Sequence, residues 1–236
     1  MAEDQSRVHS ESDLKPPAGN KVLIESRGIL QIPRLMMRTP ALLRGPKGSN
    51  QPALFLPGLK ASDISNLPMR SFLRRQGFQT FGWELGTNHG DVERLMAPVI
   101  QRTVDLYERC GEAITLVGWS LGGILAREVA RQRPELIAQV ITYGTPVVGG
   151  PLYTSVNGVY SAVERREIAV RLAERNLIPI NVPITALYSQ RDGIVAWRAC
   201  IDTFSADIEH IEIESAHIAM GIDPDVWEIV ASRLAR

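Results

Sequence analysis

Ser120 sits among three glycines, Gly118, Gly122 and Gly123, in the stretch "TLVGWSLGGILAREVA" (115–130). The stretch opens as a short apolar run and closes with helical spacing, so the serine falls where a strand becomes a helix. The pattern is G-x-S-x-G. In a strand–turn–helix context it makes a turn so sharp that the serine hydroxyl stands above the edge of the sheet. Side chains two residues away would collide across that turn, and glycines remove them. The next helix begins just after the serine, and its N-terminal dipole favours negative charge there. Five-residue patterns occur by chance. This one gains specificity from the strand before it, the helix after it and the additional Gly123. The competing reading is a tight-packing turn with an idle serine.

A serine hydroxyl is a poor nucleophile at neutral pH and needs a base. The chain offers four histidines: His9, His89, His210 and His217. His9 lies in a polar N-terminal stretch, and His210 reads as a residue on a strand face. His89, in "GTNHGD", is a turn residue or lines a pocket. His217, in "ESAHIAM", follows the last strand and is expected at the carboxyl edge of the sheet, which makes it the candidate base. An imidazole base needs a partner to fix its tautomer and favour its charged form. Asp192 follows the strand read in "ITALYSQRD", so the chain order Ser120, Asp192, His217 is the one expected for this arrangement. A surface turn acid before Gly193 is the plain alternative, and Asp202 and Asp207 are the rivals. An oxyanion needs backbone N–H donors. Leu121, just after the serine, and Leu59, in the "LPGL" that follows the first strand, are the candidates; an ordinary Pro-Gly turn is the alternative at Gly58. Loops after the strands would bring Trp119, Val147, Val148 and Ile194 to the same place as apolar walls for a substrate.

The elements that must position these residues alternate along the chain. Strands are read in "ALFL", "FQTFGW", "AITLVGW", "IAQVITYGTP", "ITALYSQRD" and "IEHIEIES". Helices are read in "MRSFLRRQG", "DVERLMAPVIQRTVDLYERCG" (N-cap Asp91, Gly111 past its end), "SLGGILAREVARQRP", "SAVERREIAVRLAERN" and "DPDVWEIVASRLAR", with a short helical piece in "AWRACIDTF". Such alternation predicts an α/β fold: a mainly parallel sheet of about six strands with helices on both faces. Ligands in such sheets bind beyond the carboxyl ends of the strands, where the candidate residues fall. Residues 1–20 read as a disordered segment and 21–236 as one domain, with a short lid in 149–182. Pro33 and Pro40, the latter after Thr39 as N-cap, suggest two short helices. The apolar residues of 29–44 cover the core or rest on a lipid surface among Arg34, Arg38 and Arg44.

Composition narrows the partners. The chain has 236 residues, 44% hydrophobic and 22% charged, with a formal net charge of zero. No basic run points to nucleic acid. The two cysteines, Cys110 and Cys200, make no disulfide framework. The first twenty residues lack the apolar core of a secretory signal, and no run approaches the ~18 residues of a spanning helix. The expectation is a cytoplasmic protein without stable membrane insertion. No cluster has metal-ligand spacing and no dinucleotide fingerprint appears, so neither metal nor cofactor is expected. The oligomeric state stays open.

"LPGL", "GWSLGG", "YSQRDGIV" and "SAHIAM" together resemble the α/β-hydrolase superfamily on its lipase and esterase side, over roughly 53–236. The segment "YGTPVVGG" resembles one common in bacterial lipases, with Val147 where those carry a histidine. Pro57-Gly58 stands where many relatives have His-Gly. The resemblance implies Ser120 as nucleophile, Asp192 as acid, His217 as base, and Leu59 and Leu121 as oxyanion donors. It implies a carboxylic-ester hydrolase acting on small apolar acyl esters. A thioesterase or acyltransferase with the same three residues, or a non-catalytic binding module, are the alternatives.

Overall fold

A computed structural model describes residues 14–17, 25, 28, 31–155 and 157–236. Among these, six strands form one sheet: β1 (Pro52–Leu56), β2 (Gln79–Gly82), β3 (Ile114–Trp119), β4 (Ile137–Tyr143), β5 (Ile184–Tyr188) and β6 (Ile208–Glu212), in the order β2-β1-β3-β4-β5-β6. Every neighbouring pair is parallel. The α-helices are α1 (Gln31–Leu42), α2 (Asp63–Arg75), α3 (Val92–Cys110), α4 (Leu121–Gln132), α5 (Ala162–Asn176) and α6 (Pro224–Leu234).

The central strands β1, β3, β4 and β5 are largely buried on both faces, which is why they read as near-continuous apolar runs, while the edge strands β2 and β6 are partly exposed. Alternation decides which residue meets which layer. Ala53, Phe55, Val117, Ile141 and Leu187 face a core closed by Met69, Phe72 and Leu73 of α2 and by Val226, Trp227 and Val230 of α6. Leu54, Leu56, Leu116, Val140 and Ile184 face the opposite core, with Val99 and Leu106 of α3 and Leu125 and Val129 of α4. Fully burying one such side chain contributes about 1.5–3 kcal/mol. The chain steps outward from β1 to β2 and then back past β1 to β3. The order therefore reverses between β1 and β3, and a crevice opens above their carboxyl ends.

The helix ends follow local chemistry. Asp91 accepts from the Arg94 amide at 3.0 Å to begin α3, and Gly111, at φ 72°, ends it in the left-handed region. At α5 the Ser161 hydroxyl and the Glu164 carboxylate satisfy each other's backbone amides.

Two boundaries differ from the sequence reading. Residues 31–42 form one helix, not two, with Pro40 in its last turn, where only one intrahelical bond is lost. Thr39 is not an N-cap; its hydroxyl donates to the Leu35 carbonyl one turn back at 2.7 Å. The α2 helix begins at Asp63 rather than at Met69 and runs through Pro68, which lies inside it. The inward residues Leu35 and Leu42 of α1 meet the core, while Met36 and Met37 are exposed. Arg34 and Arg38 pair with Asp223, Asp225 and Glu228 around α6. The expectation of disorder over 1–20 lies largely outside the described residues; of the four described there, Leu14 is buried. Among the described residues no helix is long and apolar enough to cross a membrane.

Candidate active site

The turn after β3 holds Ser120 at φ 52° and ψ −119°, a backbone that a residue with a side chain adopts only under constraint. The constraint is visible. The Ser120 amide donates to the Tyr143 carbonyl at 2.9 Å, and the Thr145 hydroxyl donates to the Ser120 carbonyl at 3.0 Å. The flanking glycines are needed for space. A Cβ at Gly118 would enter the backbone of Gly123, one at Gly122 would strike the Leu56 and Pro57 carbonyls, and one at Gly123 would strike Thr145. The α4 helix is buried almost all round, so none of these contacts can be relieved by tilting it outward.

Asp192 and His217 meet from the loops after β5 and β6. His217 Nδ1 lies 2.6 Å from Asp192 Oδ2, and both side chains are buried. The other carboxylate oxygen of Asp192 accepts from the amides of Ile194, at 2.8 Å, and Val195, at 2.6 Å, so its orientation is fixed. Burial opposes a charge on His217, but the charge and hydrogen bond of Asp192, with a contribution from Glu25, outweigh it and hold the imidazole above its ordinary range. The Trp119 ring lies 5.7 Å from the His217 ring, centroid to centroid.

The rival acid is otherwise engaged. Asp202 pairs with Arg127 at 2.6 Å inside the protein and accepts from the Phe204 and Ser205 amides. Its own amide donates to His210 Nε2 at 2.9 Å, which accounts for that histidine.

A cavity of about 340 Å³ opens beside Ser120. Leu59, Leu121 and Ile194 line it, as the sequence suggested, and His89 stands in its wall. Further apolar lining comes from Ile124, Ile168 and Leu172, while Glu93, Arg171 and Arg175 bring charge to it. Three expected wall residues are absent from the described lining. Trp119 packs against the core and His217. Val147 and Val148 belong to the small cluster that seats Leu172 of α5.

Leu121 is the first residue of α4, so the helix's own ladder leaves its amide free of an intrahelical acceptor. Leu59 lies on a loop that passes close to the serine: a Cβ on Gly58 would come 3.3 Å from that of Ser120. That loop is held by a residue the sequence reading passed over. Asn88 is fully buried; its side chain donates to the Pro57 carbonyl at 2.9 Å, and its carbonyl accepts from the Lys60 amide at 2.7 Å. Glu25 was also missed, and it bonds the loops of both Asp192 and His217. No local pattern marks either residue, since each acts on chain distant in sequence. Among the described residues no group of three His, Cys, Asp or Glu side chains could hold a metal ion.

Comparison with known proteins places this geometry in context. Residues 85–205 match the family described as the PGAP1-like alpha/beta domain. No curated protein matches the chain. Among solved structures, a metagenome-derived lipolytic enzyme superposes with a TM-score of 0.62 at 17% identity, over 80% of this chain and 93% of its own. An alpha/beta hydrolase enzyme from the metagenome of lagoon sediments at Mar Chica, Morocco, gives 0.57 at 17% identity, over 79% and 91%. A monoacylglycerol lipase from Paleococcus ferrophilus gives 0.57 at 16% identity, over 79% and 96%. These likenesses establish an α/β-hydrolase fold for the chain.

Proposed function

The chain belongs to the family of PGAP1-like alpha/beta domains, and from that premise we propose that it is a serine carboxylic-ester hydrolase acting through Ser120, Asp192 and His217. The observation that carries the reading is the strained backbone of Ser120 at the wall of a cavity lined in part by apolar side chains. Strain of this kind persists only where the surroundings enforce it, and it clusters at sites of chemistry.

The steps follow from the atoms present. Asp192 engages Nδ1 of His217, which leaves Nε2 for the substrate side. Nε2 takes the Ser120 proton as Oγ attacks the acyl carbonyl carbon. The carbonyl π pair moves onto oxygen, and the amides of Leu59 and Leu121 receive that charge. Collapse of the tetrahedral intermediate expels the alkoxide, which takes the proton from His217. The acyl group is left on Ser120. Water then gives a proton to Nε2, attacks the acyl carbon, and releases the acid with Ser120 restored. Asp192 stays ionised and stabilises the imidazolium formed in each half.

The α5 helix acts as a short lid. Its Ile168 and Leu172 line the cavity, and Tyr160, just before it, donates to the Gly90 carbonyl at 3.2 Å. The apolar lining favours an uncharged acyl chain by about 0.8 kcal/mol per buried methylene. Graded p-nitrophenyl esters, run beside acyl-CoA thioesters, test the substrate class. Hydrolysis of butyrate to octanoate esters in clear solution is the expected result. Turnover confined to acyl-CoA would replace the esterase with a thioesterase, and turnover only above the ester's solubility limit would require a surface-opened lid.

A further inference from the structure

The loops that carry the proposed acid and base are joined by a side chain from the far end of the chain. Glu25 Oε1 accepts from the Gly193 amide at 2.9 Å and from the His217 amide at 3.0 Å. Glu25 Oε2 accepts from the Ile218 amide at 2.9 Å. Gly193 follows Asp192 directly, and the next two amides of that loop go to Asp192 itself. One carboxylate thus completes the hydrogen bonding of the Asp192 loop and ties it to the backbone of His217. Hydrogen bonds to an ionised acceptor are roughly twice as strong as neutral ones. The same stretch touches the base loop again at Gly28, where an added Cβ would lie 3.1 Å from that of Ala219.

We propose that Glu25 is a positioning residue for the hydrolysis, clamping the Asp192 and His217 loops so that the imidazole keeps its contact with Asp192. The inference rests on His217 as the base, and extends that reading by making Glu25 part of the active site. The clamp has an electrostatic consequence. Asp192 and Glu25 are the charged groups that act on His217. The Trp119 ring and the Gly144 backbone beside the His217 ring are neutral. Both carboxylates favour the imidazolium, the form that must appear in each half of the reaction.

The test uses the full chain with Glu25→Gln, Glu25→Ala and Glu25→Asp. Glu25→Gln keeps the shape and one acceptor but loses the charge. Two readouts go beyond stability: the NMR titration midpoint of the His217 ring, and the separate values of kcat and KM on an ester the wild type hydrolyses. The midpoint should fall in Glu25→Gln. In Glu25→Ala, kcat should fall about ten- to hundredfold with KM nearly unchanged. Glu25→Asp, or acetate added to Glu25→Ala, should restore part of the loss. A folded Glu25→Gln with an unchanged midpoint and unchanged kcat overturns the proposal, whether or not Glu25→Ala folds. A wild type that hydrolyses no ester and leaves Ser120 unlabelled by fluorophosphonate would sink the proposed function instead, and the His217 titration would still decide the clamp.

Discussion

In the proposed mechanism the ionisation of His217 bears on both rate and stability, and the two pull in opposite directions. Its folded pKa lies above the ordinary 6.5 because Asp192 and Glu25 outweigh burial. The stabilisation from that pairing is therefore complete below about 6.5 and is lost as pH rises through the raised folded value. Catalysis needs the neutral ring, so the rate should rise through that same raised midpoint. Asp192→Asn keeps the shape and the two backbone contacts of Oδ1 but loses the charge. It should lower kcat by about 10⁴-fold, as removal of this charge does in serine proteases, and move any residual acid limb downward. A pH–rate series on wild type and variant checks both; a normal kcat in Asp192→Asn would take the acid role away from this residue. The placement of Ser120, Asp192 and His217 at the carboxyl edge of the sheet was legible because Ser120 directly follows a strand and the other two lie in the loops just after strands, and short runs of sequence reveal strand ends. Glu25 and Asn88 were not, because their work is to accept and donate bonds to backbone far away in sequence. Trp119 and Val147 were expected as cavity walls; in the structure Trp119 packs beside His217 and Val147 beside Leu172.

At the scale of elements, α5 decides how much room the substrate has. The helix is seated by Leu172 on Ile124 and Val147, and by the Asn176 side chain, which donates to the Val147 carbonyl at 2.8 Å. Ile168, one turn earlier on the same face, is half-buried and lines the cavity. Ile168→Trp should fill part of that space without unseating the helix. The preferred acyl chain should shorten, with KM for octanoate esters rising several-fold and KM for acetate esters nearly unchanged. An unaltered chain-length profile would mean that the acyl group lies elsewhere. This helix was read correctly from Ser161 to Asn176 because its capping box and spacing are local. The α1 boundary was misread because Pro40 was taken to start a second helix, and the α2 start was placed late, at Met69, although that helix continues through Pro68 from Asp63. In α1, the ion pairs of Arg34 and Arg38 with the acids around α6 add a tertiary tether that no local rule anticipates.

For the whole molecule, the reversal of strand order between β1 and β3 puts the Leu59 loop beside Ser120, and successive strands β4, β5 and β6 bring the remaining loops into line. The alternation of elements made the parallel sheet legible, but the sequence reading did not give its strand order. The ion pair of Arg127 and Asp202 links α4 to the segment between β5 and β6 in the interior. Burial opposes the Asp202 charge, but Arg127 and backbone bonds outweigh it and hold its pKa below the ordinary value, so this contribution is present above about 3.8 and fades as pH falls through the folded value. Arg127→Ala leaves the carboxylate buried and alone, and should destabilise the fold by about 3–5 kcal/mol. Urea unfolding at pH 7 measures it, and a loss under 1 kcal/mol would show that water reaches the site. The most direct measurement on the intact chain is its mass after exposure to a fluorophosphonate, for wild type and Ser120→Ala, beside their rates of ester hydrolysis. One adduct per wild-type chain, none on Ser120→Ala, and a rate loss of about 10⁴-fold or more in that variant are the predicted results. An unlabelled wild type, or a Ser120→Ala chain that hydrolyses esters near the wild-type rate, would contradict a serine nucleophile at this turn.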